Sequence, residues 1–250
     1  MSGHSHWAGI KHKKALVDAK RGKLWSKLAK AIIVAAKMGG GDPDANLRLR
    51  YAIDDAKAVS LPKENIQRAI KRGTGELDGG NLEEVVYEGY GAGGVAILCE
   101  VLTDNRNRSA PEIRKIFELA NGKLGSTGCV AWMFESKGLF LVPSNQIEED
   151  ALMEIAIEAG ADDVKREGDN FEITCEPNLF SQVSKALADK KITPEASQIM
   201  RIAKNTVDVT DPDAAQKVLR LMERLDDHDD VQNVSANFYI PDDVMAKVSG

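Results

Sequence analysis

The hydrophobic periodicity of the chain changes near residue 75, and that change limits the fold more than any other feature. Up to that point apolar residues recur at steps of three and four, the helical period. Beyond it, short β-like runs alternate with helical ones. The pattern predicts an α+β protein: an N-terminal helical bundle followed by two ferredoxin-like units.

In the first part, residues 20–38 read as an amphipathic helix. Leu24, Leu28, Ala31, Ile32 and Ala35 form one apolar stripe. Lys20, Lys23, Lys27, Lys30 and Lys37 form a second beside it, expected to face solvent. Gly39, Gly40 and Gly41 end this helix. Asp42 reads as the N-cap of the next, with Pro43 at its first helical position. That helix is expected to run to about residue 59, and Pro62 opens a third that ends near Gly73. Nothing here suggests a compact turn before a recognition helix, which speaks against a helix-turn-helix reader.

In the second part, strands are expected at 85–90 and 95–103, a helix at 110–120 capped by Ser109 and Glu112, and a strand at 128–134. Residues 137–204 read as a complete βαββαβ unit, its middle strands joined through Gly168, Asp169 and Asn170. A helix at 211–225 and a strand at 232–239 then return to the earlier strands. The expected domains are 1–80, basic and helical; 81–135 with 205–250, ferredoxin-like; and 136–204, a second ferredoxin-like unit inserted into it.

Charge divides along the same boundary. Residues 1–75 hold sixteen Lys and Arg against six Asp and Glu, a net of +10 within a chain of net charge -6. The remainder therefore sums to -16. A basic module on an acidic body points to a polyanionic partner for the module alone. Its candidate contacts are Trp7, Lys11, Lys13, Lys14, Lys20, Arg21, Lys23, Lys27, Lys30, Arg48, Arg50, Arg68, Lys71 and Arg72. Trp7 beside a basic arm suits base stacking as well as phosphate contact. Lys outnumbers Arg in residues 1–38, which favours diffuse charge over bidentate base readout. In the body, Arg106 and Arg108 lie just before a predicted helix and form a second candidate anion site.

Several chemistries lack support. Cys99, Cys129 and Cys175 are widely spaced and read as buried hydrophobes in a reducing compartment. Gly89, Gly91 and Gly94 match the dinucleotide glycine spacing, but a strand follows them rather than a helix. His4 and His6 could chelate a metal only with backbone nitrogens. The run of Asp226, Asp227, His228, Asp229 and Asp230 departs from Ca²⁺-loop spacing and reads as a solvated loop. No cofactor, metal or catalytic residue is expected, and no transmembrane span or secretory signal.

A set of motifs resembles the YebC family. They include Gly3-His4-Ser5-His6-Trp7, Lys13-Lys14-Ala15 and Asp18-Ala19-Lys20-Arg21-Gly22-Lys23, then Gly39-Gly40-Gly41-Asp42-Pro43. Asn65 to Gly75, Tyr87-Glu88-Gly89-Tyr90-Gly91 and Thr103-Asp104-Asn105-Arg106-Asn107-Arg108 complete the set. Leu47 and Ala92 stand where the family has Pro, Trp25 where Phe is usual and Lys123 where Asn is usual; no cationic position is lost. The resemblance implies a three-domain cytoplasmic protein, a probable DNA-binding transcriptional regulator, with kinship to a mitochondrial translational activator. The expected partner is DNA, or else ribosomal or transfer RNA at the ribosome. The rival classes are an enzyme with a site between the ferredoxin-like units and a protein-interaction adaptor. Oligomeric state stays open.

Overall fold

The computed structural model describes residues 21–78 and 81–248. Three helices come first: α1 (Arg21–Gly39), α2 (Leu47–Ala58) and α3 (Lys63–Gly73). Their core is built from Ile32, Ala35, Ala36, Leu49, Ala52, Ile53, Ala56, Leu61, Ile66 and Ala69. The alanines let backbones approach closely. At the crossing of α3 on α1, a Cβ on Gly73 would lie 2.4 Å from the Ile33 carbonyl oxygen.

The start of α2 differs from expectation. It begins at Leu47 with Asn46 as N-cap, not at Asp42 and Pro43. Asp42 closes only a local turn, accepting from the Asp44 amide at 2.9 Å. Asn46 is buried and does what an acid cannot. Its Oδ1 accepts from the Leu49 amide, while its Nδ2 donates to the carbonyls of Ala35 and Gly40, each at 2.8 Å. One amide thus caps α2 and donates to two carbonyls at the end of α1.

The chain then forms β1 (Glu83–Tyr90), β2 (Ala96–Thr103), α4 (Arg106–Leu119) and the two-residue β3 (Lys123–Leu124). It next leaves this sheet and builds β4 (Phe134–Pro143), α5 (Glu149–Glu158), β5 (Ala161–Glu167), β6 (Asn170–Cys175), α6 (Phe180–Asp189) and β7 (Ala196–Ala203). After β8 (Val207–Asp208) it returns with α7 (Pro212–Asp226), β9 (Val231–Ala236), β10 (Phe238–Tyr239) and α8 (Asp242–Val248).

The two four-stranded sheets are antiparallel, in orders β3-β1-β2-β9 and β5-β6-β4-β7. The second has the ferredoxin-like strand order in its usual chain sequence. The first reaches the same layout with a strand moved ahead: the position filled third in the ferredoxin order is here filled by β1. The mixed α+β class agrees with the sequence reading. A parallel pair, β8 with β10, closes the C-terminal end.

The strand expected at 128–134 is absent. Gly128 has φ 85, which breaks extended backbone there. In place of a ladder, the buried Glu88 carboxylate accepts from the amides of Gly128, Val130 and Ala131 at 2.6, 2.8 and 2.7 Å. Val130 and Phe134 then pack on Ala96 and Leu98, on the face of the first sheet away from its helices.

The bundle touches both sheet units. Tyr51 of α2 meets Phe180 of α6 edge-on at 5.4 Å, and Ser181 Oγ donates to its hydroxyl at 3.0 Å. Phe180 in turn stacks on Phe140.

Candidate nucleic-acid interface

Geometry separates the candidate cations into two groups. The first is paired within the protein. Lys23, Lys27 and Lys30 lie on one side of α1 and face the C-terminal end of α7. Lys23 Nζ donates to the Asp227 carbonyl at 3.3 Å and lies 3.4 Å from the Asp229 carboxylate. Lys27 donates to the Asp226 carbonyl. Lys30 donates to the Asp229 carbonyl at 3.1 Å and to Asp230 Oδ1 at 2.6 Å. A helix C-terminus carries partial negative charge and orphan carbonyls. Four aspartates add to it, so the stripe expected to face solvent is instead a docking face.

Asp230 is the centre of that contact. It is 3% exposed, and so not part of a solvated loop. Besides Lys30 it accepts from Arg108 at 2.7 Å, Ser109 Oγ at 2.8 Å and Thr103 Oγ1 at 3.3 Å. Burial alone would raise its carboxyl, but the hydrogen bonds from Lys30, Arg108 and Ser109 outweigh it and hold the group well below the usual carboxylate range.

The Arg106 and Arg108 loop is also rearranged. Helix α4 starts at Arg106, capped by Asn105, whose side chain accepts from the amides of Asn107 and Arg108 at 3.0 and 3.2 Å. Ser109 is therefore not a cap but a buried residue in the first turns of α4. Arg106 pairs with Glu83 at 2.6 Å, and Arg108 bridges Asp104 and Asp230. Arg48 pairs with Glu84, and Arg50 donates to the carbonyls of Pro43 and Asp44.

The second group is unpaired. Arg68, Lys71 and Arg72 are exposed, and their side chains have no partner among the described residues. They share the outer face of α3 with exposed Lys63 and Gln67, which the candidate set omitted. The helical period of residues 63–72 was the signal that could have added them. This face bears one acid, Glu64, in the first turn where a helix favours it.

The joint before α3 is compact, contrary to expectation. Val59, Ser60, Leu61 and Pro62 connect α2 to α3. Ser60 takes the left-handed conformation at φ 60, and Leu61 is buried. Four residues is the length that joins the two helices of helix-turn-helix units. A serine at positive φ carries no glycine signal, which hid the turn in the sequence.

Trp7, Lys11, Lys13, Lys14 and Lys20 lie outside the described residues, and Arg21 opens α1. The cysteines offer no activated thiol. Burial raises all three, Cys175 to about 11, with Cys99 fully buried. Among the described residues no helix is long and apolar enough to cross a membrane.

Comparison with known proteins covers nearly the whole length. Residues 5–76 match the family described as TACO1/YebC protein N-terminal domain, and residues 82–238 match TACO1/YebC second and third domain. A probable transcriptional regulatory protein of Rhodopirellula baltica is 55% identical over 248 residues, covering 99% of this chain and 100% of the relative. A protein of the same description from Dictyoglomus thermophilum is 54% identical, with 100% of both chains covered. The crystal structure of a conserved hypothetical protein from Aquifex aeolicus superposes with a TM-score of 0.84 at 48% identity, covering 95% of this chain and 98% of the other. With both parts matched and full-length relatives at this identity, the chain belongs to the TACO1/YebC family.

Proposed function

We propose that this protein is a non-enzymatic nucleic-acid-binding regulator of transcription working in the cytoplasm, and that α3 is the element that contacts the polyanion. The observation that carries the reading is the outer face of α3. Its Arg68, Lys71 and Arg72 are exposed and unpaired behind a four-residue turn, while most other described candidate cations have internal partners. Unpaired cations on a rigid helix neutralise phosphates without first breaking an ion pair. Gln67 and Arg68 also have the donor sets that read adenine and guanine in a major groove. The names of the relatives support regulation of transcription as the setting. Lys23, Lys27 and Lys30 contribute to binding only if α1 leaves α7.

The test compares Arg68→Ala, Lys71→Ala, Arg72→Ala with the unaltered protein. Binding to a labelled DNA duplex and to a hairpin RNA is followed by fluorescence anisotropy across a salt series. Losing three phosphate contacts should lower affinity more than tenfold and reduce the salt slope by about 2–3. Circular dichroism should not change, because the three side chains are exposed and make no hydrogen bond or ion pair among the described residues. Equal affinity of variant and unaltered protein would refute the role of α3. Loss restricted to the RNA would move the function to translation.

A further inference from the structure

The acidic half of the molecule carries its own cationic pocket, which the overall charge conceals. It lies where the C-terminal end of α4 meets the side of α7. Leu119, Ala120 and Asn121 form one wall, and Lys217, Arg220 and Arg224 the other, around a cavity of about 130 Å³. Lys217, Arg220 and Arg224 recur at steps of three and four, so they share one side of α7. Lys217 is tied to Asp213 one turn earlier. Arg220 and Arg224 are exposed and have no hydrogen bond or ion pair among the described residues. In particular, they do not donate to the terminal carbonyls of α4 and so do not serve as its cap. Asn121 holds the left-handed conformation, φ 55, at the end of α4. Glu118, the acid nearest in sequence on that wall, is not among the lining residues.

Pocket size narrows the ligand. Sites for nucleotides and cofactors occupy about 300–1,000 Å³. This cavity is too small for either and suits one compact anion. Two guanidinium groups offer planar forks of donors that match phosphate oxygens, and the Asn121 amide can add another donor. We infer that Lys217, Arg220, Arg224 and Asn121 form a phosphate subsite that holds one backbone phosphodiester of the nucleic acid whose main contact is α3. The inference rests on the proposed nucleic-acid function and extends the contact from the basic bundle to the acidic body. Arg114 and Lys115, exposed and unpaired on α4, are further cations of the helical layer that contains the pocket.

The test uses the full-length protein with Arg220→Gln and Arg224→Gln. Lys185→Gln with Lys190→Gln serves as the control, since it removes the same net charge from exposed positions at α6. Anisotropy with a labelled DNA duplex and a labelled hairpin RNA gives affinity and salt slope. The pocket variant should bind about tenfold more weakly, with a slope smaller by about 1, while the control binds nearly as the unaltered protein does. Thermal unfolding should be unchanged. Calorimetry with inorganic phosphate separates the sources: heat lost on substitution, with nucleic-acid affinity intact, would assign the pocket to free phosphate and overturn the phosphodiester contact. Equal weakening of control and pocket variant would reduce the effect to net charge and overturn the site. An unaltered protein that binds strongly beside a pocket variant that binds equally well would refute the pocket alone. Failure of the unaltered protein to bind either nucleic acid would refute both this inference and the function on which it rests.

Discussion

Two buried carboxylates, Asp230 and Glu88, do much of the joining in this molecule. Asp230 receives two cations and two hydroxyls from three different elements. Replacing it with Ala leaves Lys30 with the Asp229 carbonyl alone and takes one acceptor each from Ser109 and Thr103, which keep their bond to each other at 2.7 Å and the Ser109 bond to the Asn105 carbonyl. The expected loss is about 1–3 kcal/mol in urea unfolding, moderated because Arg108 reaches solvent. Its lowered pKa also sets a direction with pH. A carboxylate held below its unfolded value stabilises the fold above that value, about 3.9, and the stabilisation disappears as pH falls through the folded pKa. Asp230→Asn should therefore flatten the acid limb of the stability curve below about pH 4. An unchanged limb would deny Asp230 that role. Glu88 behaves alike: burial raises its carboxyl, three backbone amides outweigh this, and the net direction is down. Neither acid was legible in the sequence. Asp230 lay in a run that resembles a solvated loop, and the partners of Glu88 are backbone amides, which leave no mark in side-chain identity.

Among the elements, those with strong periodicity were legible and those defined by a cap or a long-range partner were not. The period of residues 137–204 located every strand and helix of the second sheet unit. The beginnings of α2 and α4 were misread because an attractive local cap, Asp42 or Ser109, competed with an asparagine that had better partners. Asn46 shows the difference quantitatively. Asn46→Asp keeps a good N-cap, yet it sets a carboxylate against the carbonyls of Ala35 and Gly40. It should cost about 1–3 kcal/mol, measured by thermal or urea unfolding. A cost near zero would mean that capping is its whole role. For α1, Lys23→Glu, Lys27→Glu and Lys30→Glu should repel the end of α7 and release the bundle from the body. Limited proteolysis between α3 and β1 should accelerate several-fold, with helical content retained. No change in cleavage would show that the stripe does not hold the bundle in place.

At the scale of the whole molecule, opposite charges that the sequence assigns to separate halves meet in one interface. The expectation of a basic module free to meet a polyanion came from summing charge along the chain, and a sum carries no information about which groups touch. The family relationship, in contrast, was legible, because its motifs are dense and local. Added salt acts on two contacts at once. The screening length falls from about 10 Å at 0.1 M to about 3 Å at 1 M. High salt should weaken the exposed Lys23 pair with Asp229 while sparing the buried Lys30 pair with Asp230, so the bundle should loosen only partly. Small-angle scattering should record a modest increase in radius of gyration rather than the separation of two bodies. Full separation would mean that the buried pair and the Tyr51 contact contribute little.

The return of the chain to its first sheet has a consequence for synthesis. Strand β2 is almost wholly apolar and buried, and it pairs on one side with β1 and on the other with β9. While the protein emerges from N- to C-terminus, β1 and β2 are complete long before β9 exists. The whole second sheet unit must be translated in between. During that interval β2 presents an unpaired hydrophobic edge, the kind that recruits strands from other chains. The intervening unit has its own core, drawn from Phe140, Leu152, Ile173, Val183 and Leu187, and can fold while the host waits. Ribosomes that stall or terminate between β7 and β9 should therefore release a product with one finished unit and one adhesive edge, prone to aggregate although most of its residues are already in place.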